Sequence, residues 1–161
     1  MITQEITYQI ERSLGFTPTS DQHNAIETFA SFMVHRDNRS AMILKGSAGT
    51  GKTALACAIV KTLLNFKQKV ILMAPTGRAA KILATNSEQT AFTIHRKIYR
   101  QKSFSGLNTS FNLNDNLHKD TLFIVDEASM ISNETNTTSL FGSGCLLNDL
   151  ISYVYNQNNC R

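Results

Sequence analysis

The segment Gly46-Ser47-Ala48-Gly49-Thr50-Gly51-Lys52-Thr53 constrains this chain more than any other. Glycines, a lysine and a hydroxyl stand at the spacing G-x-x-x-x-G-K-T. The apolar run Ala41-Met42-Ile43-Leu44-Lys45 leads into it and reads as a strand, and residues 54–64 continue as a strongly helical stretch. Strand, glycine loop and helix in that order predict a phosphate-binding loop. Backbone N–H groups can wrap a polyphosphate closely only where no Cβ intervenes, which is the use of Gly46, Gly49 and Gly51. The helix that follows offers unpaired N–H groups and the positive end of its dipole. Ser47, Ala48, Thr50 and Ala54 complete the expected nucleotide-binding segment. Lys52 is expected to reach the β- and γ-phosphates, and Thr53 to place its hydroxyl on Mg²⁺.

A second strand signal, Thr121-Leu122-Phe123-Ile124-Val125, ends in Asp126 and Glu127. With a phosphate loop upstream, Asp126 is expected to hold Mg²⁺ through water beside Thr53. Glu127, one residue on, is the expected general base that polarises the attacking water. This second acid argues for hydrolysis over mere nucleotide holding. An isolated pair of strand-end carboxylates, without the loop, would carry no such meaning.

Val70-Ile71-Leu72-Met73-Ala74 reads as a buried parallel strand closed by Pro75, and residues 76–83 as a turn into another helix. The run strand, helix, strand, helix predicts an α/β fold, with the helix after the glycine loop as crossover. Loops at the C-terminal ends of parallel strands gather ligands, so Thr76, Gly77 and Arg78 stand where something can be touched. A plain turn with a helix-capping Thr76 explains them equally well. Thr93-Ile94-His95-Arg96-Lys97-Ile98-Tyr99 combines a hydroxyl, an imidazole, two cations and an aromatic, a composition able to hold a phosphodiester and stack a base.

At the start of the chain, Ile2, Ile6, Ile10 and Leu14 fall four apart, the stripe of an amphipathic helix that Gly15 can end. Thr19 and Gln22 have the spacing of a capping box before a helix carrying Ala25, Ile26, Phe29, Phe32 and Met33. Gln22 has a second reading, an amide that both donates to and accepts from an adenine edge. Residues 36–40 read as a polar turn. Residues 103–120 are rich in Ser, Asn and Asp, with Phe111-Asn112-Leu113 hinting at a strand. Gly142-Ser143-Gly144 reads as a connection, and residues 146–154 as a last amphipathic helix that Asn156-Gln157-Asn158-Asn159 ends.

The 161 residues give room for about one domain, and 42% apolar with 17% charged is an ordinary globular balance. Residues 1–102 carry 14 Lys and Arg against 6 Asp and Glu, or +8, whereas residues 103–161 carry 2 against 6, or −4. The basic part, with Arg96, Lys97, Arg100 and Lys102 clustered, suits a polyanion; a solvated basic face is the alternative. Cys57, Cys145 and Cys160 have no metal-ligand spacing, which points to a reducing, cytoplasmic setting. No apolar run is long enough for a membrane span, and no basic-then-apolar leader opens the chain.

Taken in order, these motifs resemble the first RecA-like domain of superfamily 1 DNA helicases, with the RecD-like, 5′-to-3′ branch as the nearest type. The resemblance covers about residues 16–133, leaving residues 1–15 as an appended amphipathic helix and 16–161 as a partial RecA-like domain. Gln22 matches the adenine-reading glutamine, Gly46 to Thr53 the Walker A motif, and Asp126-Glu127-Ala128-Ser129-Met130 the Walker B motif. Ala74-Pro75-Thr76-Gly77-Arg78-Ala79-Ala80 and Thr93-Ile94-His95-Arg96 are similar to two segments that touch single-stranded DNA. The resemblance thus implies ATP and Mg²⁺ at the loop, with DNA at Pro75, Thr76, Gly77, Arg78, Thr93, His95 and Arg96.

Such helicases continue into a strand ending in Gly-Asp-x-x-Gln and a second RecA-like domain bearing arginine fingers. Neither pattern occurs here. In the family fold that strand lies between the Walker A and Walker B strands, so two unpaired edges are expected, facing a gap. A fragment, a truncated product or a module completed by another chain would account for it. The resemblance implies an ATP-driven translocase or helicase whose isolated chain binds nucleotide weakly and does not unwind DNA. Without arginines supplied in trans, hydrolysis is expected to be slower by roughly 10³–10⁵. Two rivals are a small-molecule kinase using the same loop and a non-enzymatic nucleotide-gated interaction module.

Overall fold

A computed structural model describes residues 1–35, 39–101, 110–156 and 159–161. Arg36, Asp37 and Asn38 of the expected polar turn, Lys102 of the basic cluster, residues 103–109, and Gln157 and Asn158 lie outside the described residues.

The chain runs α1 (Ile2–Leu14), α2 (Ser20–Val34), α3 (Lys52–Asn65), β1 (Lys69–Ala74), α4 (Gly77–Ser87), β2 (Ala91–Thr93), α5 (Ile94–Ile98), β3 (Tyr99–Gln101), β4 (Phe111–Leu113), β5 (Thr121–Val125), a 3₁₀ turn (Ala128–Met130) and α6 (Leu146–Tyr155). A parallel sheet orders β2-β1-β5, with Leu72 opposite Ala91 and Ile124, and Met73 opposite Phe92 and Val125. Strands β3 and β4 form a separate antiparallel pair. The expected α/β class with a parallel sheet between helices is what the chain adopts.

Alternation along the strands sorts two cores onto the two faces of the sheet. Leu122 packs with Ile10, Ile26, Phe29, Leu55, Ile59 and Leu63, with Val70 and Ile124 against them. Helices α1, α2 and α3 therefore cover that face, and Leu83 of α4 joins it through Val60 and Leu72. Met73 and Phe123 point the other way, into Ile94, Ile98, Leu150, Tyr153 and Val154 of α5 and α6. The α1 stripe is used as expected, since Ile10 is fully buried and Ile6 and Leu14 pack beside it. Thr62 ties α3 to α1 by donating to Gln9 O at 3.1 Å.

Two expectations are corrected. Residues 41–45 do not form a strand. Among the described residues no strand runs beside them, so their backbone has no ladder, and Ile43 and Leu44 stay 75% and 37% exposed. The βαβ unit is therefore not built around α3; it is β1–α4–β2, with α4 as the crossover between paired parallel strands. The outer edge of β5 is engaged at one point. Arg161 N–H donates to Thr121 O at 3.1 Å, and Phe123 N–H donates to Arg161 O at 2.6 Å. The Arg161 guanidinium also caps the end of α2, bonding Phe32 O at 2.7 Å and His35 O at 3.0 Å. No helix among the described residues is long and apolar enough to cross a membrane.

Candidate active site

The glycine loop arches over the start of α3. Gly49 and Gly51 take the left-handed conformation, at φ 79° and 82°, which an L side chain resists. Gly51 is also the N-cap of α3, and no side chain caps that helix. Helices α2, α4 and α5 instead begin under the hydroxyls of Thr19, Thr76 and Thr93. The first turn of α3, like those of α1 and α6, meets no capping side chain, and here the glycine loop leads into it, so its N–H groups are open to an anion. The Lys52 ammonium lies back across the loop, donating to Gly46 O at 2.8 Å and Ser47 O at 2.7 Å. Thr50 Oγ1 closes the arch on Ser47 O at 2.9 Å.

The Walker B pair sits at the C-terminal end of β5. Asp126 N–H donates to Met73 O at 3.0 Å, continuing the ladder onto β1 for one more residue. Its Oδ1 accepts the next backbone N–H, that of Glu127, at 2.9 Å. Glu127 leaves the strand at φ 53° and ψ 35°, a left-handed conformation uncommon outside glycine, and its side chain is exposed. The Asp126 charge reaches α3. It adds to burial, the larger cause, in pushing the Cys57 thiol above its usual range. Cys57 follows Thr53 by four residues, on the same helix face.

Thr53 and Asp126 would supply only two ligands, and no group of three His, Cys, Asp or Glu residues among those described could hold a metal alone. That set fits Mg²⁺, which completes its octahedron with phosphate oxygens and water.

The two segments singled out for DNA leave the sheet side by side. Ala74 is opposite Thr93, so Pro75 to Arg78 and Thr93 to Arg96 share one edge, next to Asp126 across β1. Thr76 Oγ1 accepts Ala79 N–H, and Thr93 Oγ1 accepts Arg96 N–H, each at 3.2 Å. Both hydroxyls therefore act as helix caps. Arg78 and Arg96 are exposed, and nothing within 4 Å would meet a side chain at Gly77. Lys97 lies over the Phe92 ring at 4.9 Å, and Arg100 approaches Asp115 at 3.8 Å.

Two features escaped the sequence reading. The His95 ring is half-buried against Tyr99 and Phe141, with centroids 5.6 and 5.1 Å away, and burial pulls its pKa down. Phe141 stacks on Phe111 at 4.5 Å. Phe141 lies in a polar stretch, so no periodicity marks it. Both ends of the Gln22 amide are bonded to backbone. Its Oε1 accepts Thr19 N–H at 3.0 Å, completing the capping box, while its Nε2 donates to Thr50 O at 3.1 Å.

Loop, uncapped helix, carboxylates and parallel sheet agree with comparison against known families. The family model described as an AAA domain matches residues 30–142, which span the glycine loop, both candidate DNA segments and the Walker B pair. The chain belongs to this family of P-loop, nucleotide-binding AAA-type ATPase domains, found in helicase-like proteins.

Proposed function

We propose that this chain is the ATP-binding and hydrolysing part of a motor that moves on single-stranded DNA, a helicase or translocase of the RecD-like type. The carrying observation is the glycine loop, with Gly49 and Gly51 left-handed, leading into an α3 that no side chain caps and that begins with Lys52 and Thr53.

ATP lays its phosphates on the Gly46–Ala54 segment. The triphosphate draws the Lys52 ammonium off Gly46 O and Ser47 O, exchanging two carbonyl partners for a charge-assisted bond. Thr53 and Asp126 would hold Mg²⁺, which neutralises charge on the phosphates when bound. Glu127 takes the proton of the water that attacks the γ-phosphorus, and ADP leaves on the bridging oxygen. Gln22 borders the same loop. DNA crosses where β1 and β2 end, with Pro75, Thr76, Gly77, Arg78, Thr93, His95 and Arg96 along its path. A second RecA-like domain, in cis or from another chain, supplies the remaining catalytic charge.

Two titrations test the reading. Lys52→Ala should abolish measurable ATP binding by the chain. Binding of a single-stranded oligonucleotide should weaken steeply with salt and change when ATP is added. Unaltered ATP affinity in Lys52→Ala would overturn the loop assignment, and absence of oligonucleotide binding at low salt would overturn the motor assignment.

A further inference from the structure

We infer that Phe141, together with the His95 ring that rests against it, is a base-stacking site for single-stranded DNA, one that answers to the flat face of a base and not to its sequence. The inference deepens the motor reading proposed above and rests on it.

Four rings meet in one cluster. Phe141 lies 4.5 Å from Phe111, nearly parallel at 16°, and 5.1 Å from His95, nearly perpendicular at 79°. Tyr99 is tilted against Phe141 and His95, at 5.3 and 5.6 Å. Tyr99 is buried, whereas His95, Phe111 and Phe141 each keep part of their surface in solvent. Partly open rings of this kind take any base, because every base has a π-face.

His95 brings the cluster to the candidate DNA path. It is the second residue of α5, which follows β2 directly, and Thr93 at the end of β2 is opposite Ala74. Burial lowers the His95 pKa, so at neutral pH the imidazole has no charge with which to hold a phosphate. Its nitrogens meet no hydrogen-bond partner among the described residues. Arg96, the next residue, and Arg100 are exposed cations. Charge for the backbone beside rings for the bases is the arrangement that holds single strands.

The chain fixes Phe141 in place. Phe111 N–H donates to Leu140 O and Gly142 N–H donates to Phe111 O, each at 2.8 Å, so both neighbours of Phe141 are fastened to β4. The loop also closes on itself. Asn136 N–H donates to Gly144 O and Gly144 N–H donates to Phe141 O, each at 3.0 Å. Gly142 has a φ of 46°, and a Cβ there would lie 2.7 Å from Tyr99 Cε1, so glycine lets the loop pass the rings. A ring held this firmly needs little ordering when a base arrives. Packing alone would be served by any apolar side chain of similar size, and the test turns on that difference.

Affinities are measured at low salt for a thymidine oligomer and for an abasic oligomer of the same length, which keeps the phosphates and lacks the bases. The proteins are the wild type, Phe141→Leu and Phe141→Tyr. Leucine keeps apolar packing and removes the ring; tyrosine keeps the ring. The wild type should prefer the thymidine oligomer. Phe141→Leu should shrink that preference about fivefold to a hundredfold, the worth of one stacked base, and Phe141→Tyr should retain it. Equal weakening of both oligomers in Phe141→Leu would make the ring a support for the fold and overturn the inference. An undiminished preference in Phe141→Leu, or a wild type with no preference, would overturn it too. A second measurement needs no variant. A thymidine oligomer carrying one iodinated uracil, irradiated on the wild type, should cross-link at Phe141 or His95; cross-links only elsewhere would overturn the inference. A wild type that binds neither oligomer would instead defeat the motor assignment on which the inference rests.

Discussion

Glu127 stands one residue past a hydrogen-bonded strand, in a left-handed conformation that costs a non-glycine residue about 1–3 kcal/mol. The backbone turn swings its carboxylate out of the β5 ladder at the point where Asp126 stays in. Two adjacent acids thereby receive different settings, one bound to the next N–H and one exposed. Glu127→Gln keeps the turn and the side-chain length, so nucleotide affinity should be unchanged. Single-turnover hydrolysis should fall by about 10²–10⁴, the usual contribution of a general base. Quench-flow with excess protein reads both quantities in one experiment. A second residue-scale prediction concerns Asp149, buried at 6% exposure. It accepts from Tyr99 O–H at 2.6 Å and from Ser143 N–H at 3.0 Å. Tyr99→Phe leaves a buried carboxylate short of one donor. It should lower unfolding free energy by about 1.5–3 kcal/mol, the range for bonds to charged groups, read from urea denaturation.

Elements follow local pattern where one face meets a core, and depart from it where pairing decides. The α1 stripe, the α2 capping box, the β1 run and α6 were all legible because each is a repeated local signal. The segment 41–45 carries the composition of a strand, but a strand exists only if another backbone lies alongside, and none is described there. In the opposite sense, Ala91–Thr93 is too short to announce itself and becomes β2 only through β1. The glycine loop was legible because its chemistry fixes residue types at fixed spacing. The Gln22–Thr50 bond was not, because it joins residues 28 apart through two elements. Helix α1 gives the sharpest test at this scale. Were it a loosely appended arm, a change in it would leave the rest of the fold unaffected. Ile10 is fully buried against α2 and α3, so Ile10→Ala should cost about 2–5 kcal/mol in one cooperative transition. A separate, early-melting phase would mean that α1 folds apart from the sheet.

Across the whole molecule, three histidines set opposing dependences of stability on pH. His95 and His118 both have pKa values lowered from the ordinary 6.5. For His95 the cause is burial among rings; for His118 it is burial first, then the charges of Lys97 and Lys69. A lowered folded value means that the unfolded chain binds more protons below pH 6.5, so these two sites lose stability as pH falls. His23 works the other way. Its Nδ1 meets Glu11 of α1 at 2.5 Å and its Nε2 meets Glu27 at 3.6 Å. The hydrogen bond to Glu11, ahead of the Glu27 and Glu11 charges, raises its pKa. That contribution is fully present below pH 6.5 and fades as pH rises through the raised value. The His23 pair is partly open to solvent and so weakened by salt, whereas burial is not. Net stability should therefore decline from pH 7 to pH 5, and more steeply in high salt, where His23 compensates less. Urea midpoints at the two pH values, at low and high salt, measure this directly. His118→Gln should flatten the decline, while Glu11→Gln should steepen it at low salt only. A wild type more stable at pH 5 than at pH 7 would mean that the clip between α1 and α2 outweighs both half-buried rings.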